Sequence, residues 1–299
     1  MTGVLDGRAV VITGSGRGLG RAYALEVAAA GAAVVINDVD GDAAASVVAE
    51  IEEAGGRAVA DVHSVADPDG ARALVDGCID AFGRLDGLVN NAGVLTEAPP
   101  WETTDEQTYR MVAVNVLGTI YCGHAAIDRM RTAGAPASIV NVTSGTHLGQ
   151  PGLAVYGATK GAVASLTYGW ALDLAGTNVR VNALSPLAIT PMKLPPYDGH
   201  AHPAEVAAVI TYLLSDASAR LTGQLVRRAR DQLGLIRHPA VGRMISGEWT
   251  LDAIADAFDK VLADDLEPVG FGAHLLDPRS VPVGEPPSSS LVANEAGTE

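Results

Sequence analysis

Eight residues near the N-terminus, TGSGRGLG at 13–20, restrict the fold of this chain more than any other stretch. They close the apolar, β-branched run AVVIT (9–13) and lead into a segment of helical spacing over 21–30. A strand that passes through a glycine turn into a helix opens a βαβ unit, and so a parallel sheet. Gly14 suits the tight turn, Gly16 and Gly18 leave room for an anion against the backbone, and Gly20 lets the helix pack on the sheet. Arg17 and Leu19 complete the loop. The helix start offers free N–H groups and a positive dipole end, so a pyrophosphate is the ligand this pattern suits. Gly-Lys-Ser/Thr is missing, which excludes the nucleoside-triphosphate loop.

The same alternation continues downstream. Strands are expected at 33–37, 57–62, 85–90, 137–143 and 179–184, and helices at 42–54, 68–82, 104–130, 154–175 and 203–214. The runs AVVIT (9–13) and AVVIN (33–37) are apolar and β-branched, as in strands covered on both faces. The expected fold is α/β: a Rossmann-type doubly wound parallel sheet in a single domain with a C-terminal extension. The nucleotide-binding and catalytic domain takes residues 1–227 and the extension 228–276, with a helix over 249–262. Residues 277–299, rich in Pro and Ser, read as a mobile tail.

Charge narrows the partners. Twenty basic against 35 acidic residues leave −15, opposite to a nucleic-acid or anionic-membrane footprint. No uncharged apolar run reaches 18 residues and no signal peptide is visible, so a cytoplasmic protein with a small-molecule substrate is expected. Cys78 and Cys122 lack metal-like spacing and make no disulfide scaffold.

Asp38 lies 18 residues past Gly20, at the end of the second strand. A carboxylate there can accept both ribose hydroxyls and repels a 2′-phosphate, favouring NAD over NADP. Arg17 pulls towards NADP, because a guanidinium can hold that phosphate; Asp38 carries more weight. Tyr156 and Lys160 stand four apart, on one face of a helix. A phenol of ordinary pKa near 10 is a poor base at neutral pH, and an adjacent ammonium lowers it. Of 20 basic residues only three are Lys (160, 193 and 260), which leaves 17 Arg. Seven Tyr at that Lys frequency give about 0.07 chance Tyr-xxx-Lys pairs. Ser144, 12 residues before Tyr156 at a strand end, can polarise a carbonyl oxygen, and strand alternation turns Thr143 the other way. Asn115 can hold a water that relays protons to Lys160.

Together TGSGRGLG, Asp38, Asp61-Val62, NNAG at 90–93, Asn115, Ser144, YGATK at 156–160, VNALSP ending at Pro186, and Thr190 resemble the short-chain dehydrogenase/reductase family over residues 5–226. The resemblance implies a seven-stranded parallel sheet and hydride transfer with a nicotinamide cofactor. It implies Asp61 and Val62 at the adenine, Asn91, Ala92, Gly93, Ile189 and Thr190 along the cofactor groove, and Lys160 on the nicotinamide ribose. Tyr156 then moves the proton, Ser144 polarises the carbonyl and Asn115 completes the relay. GRGLGRAYALEVAAAGAAVVINDVDGD is similar to the dehydrogenase unit of peroxisomal multifunctional β-oxidation enzymes and its bacterial relatives. That implies a (3R)-hydroxyacyl-CoA substrate, with a steroid or alicyclic alcohol second. An NADP(H)-dependent 3-oxoacyl reductase and an idle nucleotide sensor on the same fold are the rival expectations.

Three departures from the family pattern stand out. Leu187 replaces the glycine common after Pro186, the Ser144–Tyr156 spacing is one short, and Pro203 follows Pro191 by only 12 positions. The short segment implies either an open pocket or one closed by residues 228–276. The small residues Ala158, Gly161, Ala162, Ala164, Ser165 and Gly169 imply pairing of this helix with its copy in a homodimer or homotetramer. His200 and His202 are expected to be loop residues rather than metal ligands. His147 reads equally as a pocket or a solvated residue, and Trp101 as packing near the pocket mouth.

Overall fold

A computed structural model describes residues 3–188, 202–229, 231–271 and 274–277. Eight strands form its main sheet: β1 (Ala9–Thr13), β2 (Ala33–Asn37), β3 (Arg57–Asp61), β4 (Gly87–Asn90), β5 (Ala137–Val142), β6 (Val179–Leu187), β7 (Leu225–Ala229) and β8 (Gln232–Ile236). Their order is β3-β2-β1-β4-β5-β6-β7-β8. All neighbours through β7 are parallel, and β8 returns antiparallel on β7. The order reverses between β1 and β4, which opens a crevice at the carboxyl ends of the strands.

Alternate residues of the strands feed two cores. Val10, Ile12, Val34 and Ile36 pack under α1 (Gly18–Ala29), α2 (Gly41–Glu53) and α7 (Pro203–Leu214). Val11, Val35, Ile139 and Val181 face α3 (Pro68–Phe82), α5 (Gly118–Ala133) and α6 (Ala154–Asp173). Local sequence sets several helix starts. Asp67 caps α3, Pro68 and Pro203 occupy first-turn positions, and His202 accepts from the Ala204 amide at the start of α7. Thr104 and Gln107 form a reciprocal capping box on α4 (Asp105–Met111).

Several expectations are revised. The sheet has an eighth strand, because the chain reverses after β7 and pairs Leu225 with Ile236. Residues 228–229 and 232–236, read as extension, are therefore bonded into the sheet. The helix expected over 104–130 is α4, a π-helical turn (Val112–Leu117) and α5, and it ends at Ala133. Residues 105–133 are long and apolar enough to cross a membrane, yet their apolar side packs against α3 and the sheet. β6 runs on through Leu187, which pairs with Ala229. In the extension, α8 (Leu251–Ala257) starts at the Thr250 cap and passes into a π-helical turn (Phe258–Leu262). A small hairpin of β9 (Val269–Phe271) and β10 (His274–Leu276) follows, where no strand was expected. Ile189, Thr190, His200, the short segment after Pro191 and residues 278–299 lie outside the described residues.

One half-buried cation ties α7 to the sheet. The guanidinium of Arg180 on β6 donates to the carbonyls of Ser218, Leu221, Leu213 and Ser215 at 3.1–3.2 Å. These are carbonyls at and just beyond the α7 C-terminus, where helix acceptors lack partners. Burial lowers the Arg180 pKa, so the contacts must offset desolvation. Arg180→Met keeps the stem and removes a charged donor from four carbonyls, each of which keeps one neutral donor or more. It is expected to cost about 3 kcal/mol in urea unfolding; a change under about 0.5 kcal/mol contradicts this role.

Candidate active site

The glycine loop forms a tight cradle at the carboxyl end of β1. A methyl group on Gly20 would sit 2.1 Å from the Gly14 carbonyl oxygen, and one on Gly14 would sit 2.8 Å from Ala92 Cα. Gly14 and Gly18 also adopt positive φ, of 61° and 57°. The first turn of α1 contains Gly18, Leu19 and Gly20, so the loop's last glycines already belong to the helix. No side chain caps that terminus and no acidic residue sits in its first turn. These amide donors fit a pyrophosphate.

Asp38 stands beside the cradle. Its Oδ2 accepts from the Gly16 amide at 3.1 Å and its Oδ1 from the Asp40 amide at 3.1 Å. That orientation leaves further lone pairs for a ribose. Arg17 is turned away to an ion pair with Asp40, which also caps α2. A 2′-phosphate here would meet two carboxylates and a guanidinium already paired. Asp61, at the end of β3, accepts from Asn37 Nδ2 at 2.7 Å and the His63 amide at 3.0 Å. Val62 is exposed beside it.

Across the crevice, buried hydroxyls and amides hold the chain after β4. Thr13 Oγ1 accepts from the amides of Asn91 and Ala92 at 3.0 and 2.9 Å. Asn91 Nδ2 donates back to the carbonyls of Thr13 and Gly14 at 2.9 and 3.0 Å. Asn115 is fully buried in the π-helical turn. Its Oδ1 accepts from the Val94 amide at 2.8 Å, and its Nδ2 donates to the Val94 carbonyl at 2.9 Å and to Thr159 Oγ1 at 3.0 Å. The Asn115 amide is thus spent on clamping Val94. A water serving Lys160 would need its main-chain carbonyl instead, which accepts from Thr119 Oγ1 at 2.8 Å. Thr13 and Thr159 were missed as site residues; the one available signal was a hydroxyl within an otherwise apolar run.

Tyr156 and Lys160 sit one turn apart on α6, the ammonium 5.7 Å from the phenol ring centre. Lys160 Nζ donates to the Val142 carbonyl at 2.8 Å and is only 4% exposed. Burial lowers its pKa to about 8. Gly93 closes over it: a methyl there would lie 3.5 Å from Nζ and 3.4 Å from Asn115 Oδ1. Burial pushes Tyr156 up to about 12, and its hydrogen bond with Ser144 pulls the other way. The expected fall in the phenol pKa is therefore not the balance in the free protein, where desolvation dominates. A charged Lys160, 5.7 Å from the ring centre, opposes that rise.

Thr143 and Ser144 diverge as strand alternation requires. Thr143 Oγ1 donates to the Lys160 carbonyl at 2.8 Å, whereas Ser144 Oγ accepts from the Thr146 amide at 3.3 Å and acts on Tyr156, whose pKa it lowers. His147 lies on the following turn with Nδ1 in contact with the Ser144 carbonyl. Trp101 is 82% exposed. Asn115, Ser144, Tyr156, Lys160 and Gly93 thus share one end of the crevice, and Gly14–Gly20 with Asp38 the other.

A family profile described as short chain dehydrogenase matches residues 8–194. The chain is 36% identical over 237 residues to the 3-oxoacyl-[acyl-carrier-protein] reductase FabG of Thermotoga maritima, covering 74% of this chain and 96% of that protein. It is 34% identical over 238 residues to a cyclopentanol dehydrogenase of Comamonas sp., covering 74% and 95%. Among solved structures, a short chain dehydrogenase from Mycobacterium avium superposes with TM-score 0.81 at 34% identity, covering 87% of this chain and 96% of that one. One from Mycobacterium paratuberculosis bound to NAD gives TM-score 0.72 at 30% identity, covering 76% and 98%.

Thr13→Val keeps the shape of the β1 terminus and removes the acceptor for two amides. It is expected to cost about 2 kcal/mol of stability in urea unfolding and to weaken nucleotide binding at least about tenfold by fluorescence titration. Unchanged binding contradicts the clamp.

Proposed function

The chain belongs to the short-chain dehydrogenase family, and from that premise we propose that it interconverts a secondary alcohol and a ketone with NAD(H). It is an NAD(P)-dependent oxidoreductase. The observation that carries the finer reading is Tyr156 one turn ahead of the buried Lys160 ammonium on α6, with Ser144 lowering the phenol pKa.

In the oxidative direction the Tyr156 oxygen takes the hydroxyl proton of the alcohol. The Ser144 hydroxyl donates to the same substrate oxygen and holds it as the carbonyl forms. Lys160 favours the phenolate by its charge. Asn115 and Thr159 are positioning residues, fixing Val94 and so the groove floor beside Lys160. Asp38 and the amides at the start of α1 would hold the ribose and pyrophosphate of the cofactor, with Asp61 and Val62 at its adenine and Asn91, Ala92 and Gly93 along the groove. When bound there, an oxidised nicotinamide would supply the acceptor for the hydride that leaves the alcohol carbon, together with a positive charge.

The substrate we infer is a (3R)-hydroxyacyl thioester, with a steroid or other alicyclic alcohol second. Relatives named as a 3-oxoacyl reductase and a cyclopentanol dehydrogenase support both classes. The reductase relative also favours a second reading, NADP(H)-dependent reduction of 3-oxoacyl thioesters. Asp38 and the engagement of Arg17 by Asp40 support NAD. An absorbance screen of NAD and NADP against hydroxyacyl thioesters and alicyclic alcohols separates the readings; turnover with NADP alone overturns the first. The small-residue face of α6, with Gly169 open and Leu172 exposed, supports a homodimer or homotetramer. Light scattering that finds only the 30.5 kDa chain contradicts it.

The buried pair also dictates a pH response. Its first proton leaves as pH passes about 8, the value to which burial brings Lys160. Oxidation needs the singly deprotonated pair, with Tyr156 as phenolate and Lys160 still charged, the form a bound oxidised nucleotide favours, so kcat/KM for the alcohol is expected to rise through about pH 8. Ketone reduction needs the proton and is expected to fall over the same range. Tyr156→Phe should lower turnover by about 10²–10⁴-fold and leave nucleotide binding in place. Unchanged turnover removes Tyr156 from the reaction.

A further inference from the structure

β8 ends the sheet, and among the described residues its outer edge has no neighbour. The strand inside it fixes which of its backbone groups are free. The Gln224 carbonyl accepts from the Ala183 amide at 2.8 Å, so Gln224, and by alternation Val226 and Arg228, turn their backbone groups towards β6. Leu225, Arg227 and Ala229 then face β8 and exchange hydrogen bonds with their ladder partners Ile236, Gly234 and Gln232. The N–H and C=O groups of Leu233 and Leu235 point the other way, to the open edge. No turn or loop hydrogen bond among the described residues reaches either one. Their side chains are open too, Leu233 to 67% and Leu235 to 62% exposure.

Free backbone groups beside exposed leucines form a template for a further strand. The sequence of the edge selects which strand. Residues 231–237 read DQLGLIR, a pattern complementary to itself about Gly234. Laid antiparallel on a second copy about a two-fold axis at Gly234, Leu233 meets Leu235 of that copy, and Leu235 meets its Leu233. These are the residues whose N–H and C=O groups are free to exchange. The same register sets Asp231 against Arg237 of the second copy, and Arg237 against its Asp231. Both are exposed, and neither has an ion pair among the described residues. Positions 231, 233, 235 and 237 share one face of the strand, so an ion pair would close each end of a four-leucine cluster. A shift of two residues either way sets a charge against a leucine. We propose that β8 is an interface between two copies of this chain, which pair antiparallel about Gly234 and join their sheets into one.

The interface uses the sheet edge and not the small-residue face of α6, so either surface can fail without the other. A chain of net charge −15 repels its copies, and the two opposite-charge pairs counter that repulsion where the copies meet. Gly234 sits on the axis. Its own N–H and C=O are spent on β7, so it faces its copy as a non-hydrogen-bonded pair, with Cα atoms about 4.5 Å apart. That separation lies within the reach of a disulfide, about 4.4–6.8 Å. A Cβ added at Gly234 meets nothing within 4 Å, and the native Cys78 and Cys122 are buried.

The test is disulfide cross-linking of the full chain under mild oxidation, read on a non-reducing gel. Gly234→Cys is expected to convert most of the chain to a covalent dimer. Gln232→Cys is the control for chance collision. Its counterpart in the second copy lies four positions along the strand, about 13 Å away, and it is expected to stay uncoupled. Adding Asp231→Arg to Gly234→Cys sets like charges together and is expected to slow cross-linking at least about threefold; adding Arg237→Asp as well restores the rate. Far-UV circular dichroism and NADH fluorescence check that each variant is folded. Gly234→Cys that couples no faster than Gln232→Cys overturns the interface, and a rate indifferent to the charge exchange overturns its register. If Gly234→Cys does not fold, Leu235→Lys decides. It is expected to halve the particle mass found by light scattering for the wild type, and an unchanged mass overturns the proposal. None of these outcomes touches the proposed reaction or the α6 face.

Discussion

An ammonium buried to 4% exposure governs the site. Lys160 spends one donor on the Val142 carbonyl, and burial brings its pKa down to about 8. Such a charge is costly to hide and needs a rigid surrounding to be worth keeping. The surrounding is supplied by backbone. β5 offers the carbonyl, α6 places the phenol one turn away, and Gly93 leaves room over Nζ where a side chain would crowd it. The Asn115 clamp on Val94 and the Thr13 clamp on Asn91 and Ala92 then fix the segment between them. Burial raises Tyr156 and lowers Lys160, so desolvation drives the two proton affinities apart and favours the neutral pair until a bound charge opposes it.

What could be read from the residues follows from the range of each interaction. The glycine loop was legible because its demands are local: a turn, a close approach and a helix start within eight residues. Tyr156 and Lys160 were legible because helical spacing puts them on one face. The sheet through β6 was legible because most of its strands are apolar runs covered on both faces, and β7, which carries two arginines, came only as the family resemblance's seventh strand. Asn115 was identified, but its partner Val94 lies 21 positions away, and no local spacing says that its amide is already spent. The π-helical turn around it leaves no mark in an apolar, helix-compatible run. β8 escaped because it is an edge strand, exposed over most of its length, with no buried alternation to reveal it. The β9–β10 hairpin escaped because each strand has only three residues.

The C-terminal region divides physically into two parts. Residues 225–236 complete the sheet as an antiparallel pair, which continues the ladder alongside Leu187. The region beyond folds on itself around Trp249, Ile254, Phe258 and Leu262 and comes back to the catalytic body at the Gly149–Gly270 contact. The fold therefore supplies the nucleotide crevice, and sequence outside the family's matched span reaches the Ser144 turn. Fold alone does not specify a substrate.

The central claim is that the buried ammonium and the bound nucleotide together hold Tyr156 as a usable base. The most direct measurement is a phenolate absorbance titration with and without NAD, on the wild-type chain and on Tyr156→Phe, whose difference isolates this one tyrosine among seven. Lys160→Met serves as the comparison. The account predicts that NAD brings the Tyr156 transition well below its position near 12 in the free protein, and that Lys160→Met abolishes that shift. A transition that stays put when NAD binds, or that shifts equally without the lysine, would contradict it.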